Sequence, residues 1–92
     1  MTRACDAIGC ATLLDTGRFM CVHHWRLVPA DTQRAINRRY RSAANARGLL
    51  RDRVYVEACA AAIEGIAARE GQPTANPYRR LAQQLRQVEA AS

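Results

Sequence analysis

Three cysteines and a histidine fall within the first 24 residues, spaced Cys5-x4-Cys10-x10-Cys21-x2-His24. This spacing restricts the possible folds more than any other feature of the chain. Four Cys and His donors arriving in two close pairs are the ligand set of a tetrahedral structural zinc site. The first pair encloses a short loop containing Gly9, where a glycine lets the backbone turn tightly. Cys21 and His24 stand at i, i+3, so on a helical turn both face the same side. His23 competes for the fourth position, but a Cys21-x-His23 pair would point its side chains apart on a helix, so His24 is the expected ligand. With Cys5, Cys10, Cys21 and His24 bound, the ion has no open position, and a structural Zn2+ is expected, not a hydrolytic one.

The size of the chain makes such a staple useful. Ninety-two residues form one domain with a thin core, and eighteen alanines supply much of its apolar content. Small scaffolds of this kind commonly lean on a metal clip. Two disulfides are the alternative use of four cysteines. Against them, the opening Met1-Thr2-Arg3-Ala4-Cys5-Asp6 has no apolar run resembling a signal peptide, and no stretch is long enough to span a membrane. A cytoplasmic, reducing compartment is expected, where this spacing favours metal. Cys59, mid-helix on an apolar face, reads as a core thiol.

The pattern along the chain predicts a mainly α fold. Residues 1–28 form a treble-clef-like zinc module of knuckle, short β-hairpin and short helix, packed on about three helices in 29–92 as one integrated domain. The hairpin is expected over 11–20, turning at Asp15-Thr16-Gly17. Cys21 opens a brief helix that Pro29 stops, and Trp25 is expected to pack the module onto the helices. A second helix runs from about Ala30 to Ala46, with Ile36, Tyr40 and Ala43 or Ala44 buried, and Gly48 interrupts it. Leu49 and Leu50 then plug the core. A third helix covers Asp52 to Glu70, with Tyr55, Cys59, Ala62 and Ile66 inward and Gly71 at its end. The last begins with Asn76 as cap and Pro77 as first residue, burying Leu81, Leu85 and Val88.

Charge is concentrated in one segment. All fourteen basic residues are arginine, and the formal charge of +6 lies entirely in 26–53, where eight arginines meet only Asp31 and Asp52. On the second helix Arg34, Arg38 and Arg41 form one stripe, with Arg39 and Arg47 to the side. Arginine forks match phosphate oxygens, so these five residues are candidate nucleic-acid contacts. An acidic protein surface is the other partner such a patch fits, and helix propensity in a GC-rich genome is the plainest account of the arginines. Catalysis is not expected, and neither is a small-molecule substrate. Treble-clef nucleases set catalytic histidines around a similar scaffold, but they need a second metal site or a further histidine beyond His23.

The run Phe19-Met20-Cys21-Val22-His23-His24-Trp25-Arg26-Leu27-Val28-Pro29, with Ile36 and Tyr40-Arg41 after it, resembles a group of small bacteriophage and prophage proteins. These carry a Cys-x2-His-Trp-x2-(Leu/Val)-Pro core, and their upstream cysteines and later helix resemble Cys5, Cys10 and Tyr55-x2-Ala58-x3-Ala62 ending near Glu70-Gly71. The resemblance covers residues 5–71. It implies a phage or prophage origin, hence a bacterial host cell, and a zinc fold. It implies no mechanism, and it leaves an accessory protein that binds and inhibits a host protein as the alternative to a nucleic-acid binder.

Overall fold

The computed structural model describes residues 2–15 and 18–91, and the fold is mainly helical with one small sheet. Strands β1 (Thr2–Ala4) and β2 (Leu13–Asp15) precede five helices: α1 (Val22–Trp25), α2 (Ala30–Ser42), α3 (Ala46–Leu49), α4 (Arg53–Arg69) and α5 (Pro77–Ala91). Among the described residues, no helix is long and apolar enough to cross a membrane.

The sheet departs from the sequence expectation. Leu13–Asp15 pairs antiparallel with Thr2–Ala4, in the register Arg3 opposite Leu14, and does not pair within the expected hairpin over 11–20. Thr16 and Gly17 of the expected turn lie outside the described residues. The observed pairing makes the Cys5–Cys10 segment the connection between the two strands. The Cys5 N–H donates to the Thr12 carbonyl at 2.8 Å, extending the ladder to the first cysteine. Alternation along β2 then buries Leu14 and leaves Leu13 exposed.

α4 is the centre of the molecule and packs against both α2 and α5. The expected inner stripe of Tyr55, Cys59, Ala62 and Ile66 is buried, and so is a second stripe of Val56, Ala60, Ile63 and Ala67. Two adjacent stripes are what a helix sandwiched between neighbours needs; a single one serves a helix lying on a core. Ile63 and Ile66, both fully enclosed, contribute roughly 1.5–3 kcal/mol each by leaving water. Burial pushes the Cys59 thiol up to about 12, which keeps it neutral and unreactive.

Both ends of α4 follow the local chemistry. The Asp52 carboxylate accepts from the Val54 and Tyr55 N–H groups. Beyond the other end, Gly71 takes a φ of +69°, and the Gln72 N–H returns 2.8 Å to the Ala67 carbonyl. α5 starts as expected, with Asn76 Oδ1 accepting from the Arg79 N–H. Its contact includes the fully buried Ala82, whose small methyl side chain lets the helices approach closely. Leu81 and Leu85 flank that point half-buried, whereas Val88 is 66 % exposed and lies outside the expected stripe.

α2 is shorter than its pattern suggests. It ends at Ser42, whose hydroxyl bonds back to the Arg38 carbonyl, and Ala43 turns extended. Asn45 Oδ1 then accepts from the Gly48 N–H and opens α3, so Gly48 sits inside a helical turn and does not end one. Ile36 is buried and Ala43 packs partly buried against the core, as expected, but Tyr40 between them is 49 % exposed. Of the leucine pair, Leu49 fills the core and Leu50 stays outside.

The amino-terminal segment shares one hydrophobic cluster with the helices. Cys5, Ala7, Leu14, Met20 and Val28 pack with Ile36, Tyr55 and Ile63, and Trp25 lies half-buried against them. Phe19 meets Tyr78 of α5 edge to face, with centroids 5.6 Å apart.

Two glycines give opposite tests of this architecture. Gly71→Ala should lower stability by about 1 kcal/mol, because alanine is strained at positive φ. Gly65→Ala should raise it by about 0.5–1 kcal/mol, since nothing obstructs a Cβ in the middle of α4. Thermal unfolding should move by roughly 4–8 °C per kcal/mol in a domain of this size; equal shifts of one sign contradict the assigned conformations.

Candidate metal centre

Four elements bring the cysteines and histidine together. Cys5 follows β1, and Cys10 lies within the connection to β2. Cys21 occupies the position before α1 with φ −67° and ψ 161°, and His24 lies inside α1. Gly9 permits the bend between the first two at φ +83°, and a Cβ there would meet Gln72 Nε2 at 3.1 Å. The Cys10 N–H donates to the Ala7 carbonyl, closing the loop.

The donor atoms of Cys5, Cys10, Cys21 and His24 all lie within 4.8 Å of one another, so these residues could hold a metal ion. His24 Nδ1 faces the thiols, 3.2 Å from Cys21 Sγ and 3.8 Å from Cys5 Sγ. Cys5 and His24 are buried, and Cys10 and Cys21 are half-buried. His24 joins the three cysteines and His23 does not, as the i, i+3 spacing requires. His23 is exposed, with its ring 4.9 Å from that of His24.

The local electrostatics differ from thiol to thiol. Burial pushes Cys5 up to about 11, against the pull of the Cys21 and Ala7 N–H groups. A buried thiolate here calls for a positive charge beside it, which a bound cation supplies. The Thr12 hydroxyl and backbone N–H hold Cys10 down to about 7. Burial would raise Cys21, but the His24 backbone N–H and ring outweigh it and lower the thiol below its ordinary value.

A fifth residue belongs to the site. His24 Nε2 lies 3.1 Å from both Glu70 oxygens, across 46 residues of sequence. Burial alone would lower the imidazole's pKa, but the Cys21 and Glu70 contacts reverse this and raise it. A carboxylate behind a ligating imidazole fixes its tautomer and strengthens it as a donor, leaving Nδ1 for the metal. Sequence reading assigned Glu70 only to the end of a helix. Its signal was there: an acidic residue at the negative end of a helix is locally unfavourable and calls for a compensating partner. His23, His24 and Glu70 also form a looser grouping of possible ligand atoms, but it draws on the nitrogen and carboxylate already engaged with each other.

The five candidate arginines separate into two kinds. Arg34, Arg38, Arg41 and Arg47 are exposed and have no ion pair among the described residues. Arg39, also exposed, lies 3.6 Å from Asp52 and links α2 to the start of α4. Arg34, Asn37, Arg38, Arg41 and Ser42 line a shallow hollow along the outer face of α2.

Comparison with protein-family models, curated proteins and solved structures finds no match to this chain.

Glu70→Gln should weaken binding of a divalent ion by about 10–100-fold while leaving the ligand set intact. Competition with a chromophoric chelator measures this, and Co2+ absorption reports whether the thiolates still bind. An affinity equal to that of the unaltered chain would remove Glu70 from the site.

Proposed function

We propose that this chain is a small, non-enzymatic, zinc-stabilised binding protein, phage-encoded and working in the cytoplasm of a bacterial host, that contacts nucleic acid through α2. Zinc is the ion that the donor set favours, since three sulfurs and an imidazole suit a borderline-soft, tetrahedral cation. Zinc bonds of about 2.3 Å to sulfur and 2.0–2.1 Å to nitrogen separate neighbouring donors by roughly 3.5–3.8 Å. The His24 distances of 3.2 and 3.8 Å bracket that range. Loop, paired strands and helix start together give the treble-clef-like module of this reading, and four protein ligands make its role structural.

The observation that carries the nucleic-acid reading is the distribution of charge pairs. Asp6, Asp52, Glu57, Glu64 and Glu89 each have an arginine partner within the fold. Arg34, Arg38 and Arg41 have none among the described residues, and they project from α2 opposite the buried Ile36. A stripe of unpaired guanidinium groups is suited to phosphate oxygens. Arg47, on α3, adds a further exposed arginine, and Arg39 contributes charge while tethered to Asp52.

The alternative, inhibition of a host protein through an acidic surface, draws on Leu50 and Val54. Both are exposed, at 48 % and 44 %, close in sequence to Arg47 and Arg51. Apolar residues beside arginine are common in protein interfaces.

Salt separates the two. Three phosphate contacts on duplex DNA predict that log K falls against log salt with a slope near −3 (about −0.9 per contact). Arg34→Glu with Arg41→Glu should weaken binding to every sequence alike and flatten the slope by about 2 units. No retention of DNA or RNA at low salt would discard the reading, and a stoichiometric partner from nuclease-treated bacterial lysate would support the alternative.

A further inference from the structure

The second half of α2 keeps its outer face open to solvent, while Arg39 reaches Asp52 and Ala43 beyond its end packs on the core. Every side chain from Asn37 to Ser42 is exposed, and six successive residues pass all the way round a helix of 3.6 residues per turn. The first half anchors it: Ile36 is buried, and Gln33 Nε2 donates to the Trp25 carbonyl at 2.7 Å. α2 therefore presents an accessible outer face from a fixed base.

Its outer face mixes two chemistries. Arg34 and Arg41 lie about 10 Å apart along the axis, and Asn37 and Arg38 fall between them. Asn and Arg are the side chains that pair bidentately with adenine and guanine edges in a major groove. A helix with its side chains is about 10–12 Å across, and the B-form major groove is about 12 Å wide. Arg39 and Arg41, in the last turn, offset the helix's negative end, which would otherwise repel phosphate.

Other nucleic acids fit less well. The A-form major groove of duplex RNA is too narrow and deep to admit a helix. Single strands are held on aromatic platforms, and this face offers Tyr40 alone; Phe19, Trp25 and Tyr78 are half-buried and Tyr55 is buried.

We propose that the projecting half of α2 enters the major groove of double-stranded DNA, with Asn37 and Arg38 against base edges and Arg34 and Arg41 against flanking phosphates. This rests on the nucleic-acid reading above and adds the polymer, the groove and the division of labour.

The test uses the full metal-loaded chain at low salt, offered random-sequence DNA duplexes in competition with duplex RNA and single-stranded DNA. Duplex DNA should be preferred, and sequencing the retained fraction over several rounds should reveal a short enriched motif. Asn37→Ala should reduce discrimination for that motif about tenfold. Arg38→Lys should do likewise while keeping its affinity for unrelated duplexes, because it retains the charge and loses the fork. Arg34→Ala should weaken all duplexes equally. These side chains are exposed and have no side-chain partner among the described residues, so unchanged circular dichroism is expected for each variant. Preference for RNA or single strands, or duplex binding with no motif, overturns this proposal and leaves the nucleic-acid reading standing. Retention of no nucleic acid removes both.

Discussion

The His24 imidazole joins the two halves of the molecule. One nitrogen faces the three thiols of the amino-terminal segment, and the other meets the Glu70 carboxylate just beyond α4. β1 and β2 are three residues each, too short to hold a two-stranded sheet in water unaided. Their connection and the start of α1 converge on the donor cluster, and Glu70 ties that cluster to the most buried helix. These polar contacts add to apolar ones, since Ala7, Leu14 and Met20 join the hydrophobic cluster that Ile36, Tyr55 and Ile63 contribute from the helices.

Alanine content shapes the remainder. A helix lined by Ala60, Ala62 and Ala67 buries little surface per residue, yet it lets its neighbours come close. Close approach brings the partners of long side chains within reach. Arg79 holds Glu64 with two nitrogens at 2.8 and 2.9 Å, and this pairing depresses the Glu64 pKa. Its stabilisation is present above the ordinary carboxylate range and is lost as pH falls through the lowered value. Both side chains are partly exposed, so the contribution is modest.

What the sequence revealed depended on how local the cause was. The Cys and His spacing, Gly71 at positive φ and the Asn76-Pro77 start each act within a few residues, and each is found where the pattern put it. Asp52, read as the first residue of its helix, instead caps it. The errors arose where a distant partner decides. Leu13–Asp15 could be recognised as a strand, but its pairing with Thr2–Ala4 depends on the cysteine loop closing between them. Tyr40 has the right helical spacing for burial, yet it stays 49 % exposed while the adjacent Arg39 reaches Asp52. Val88 continues a leucine stripe but turns to solvent, even though the adjacent Glu89 still pairs with Arg53 of α4. Glu70 is invisible as a site residue until the fold brings it across 46 positions to His24.

The same partition governs the charge. Nearly every carboxylate in this chain is used inside the fold, to cap a helix, to bridge α4 and α5 or to hold His24. Arginines placed beside those carboxylates are neutralised and serve architecture. The ones on the outer face of α2 make no ion pair among the described residues, so their charge faces solvent. A flexible segment carrying the same charges would scatter them, and binding would then cost the entropy of collecting them. On α2, the buried Ile36 and the Gln33 bond to the helix bearing His24 fix their spacing in advance. The donor cluster and the arginine face are therefore parts of one arrangement, the first holding still the base from which the second projects.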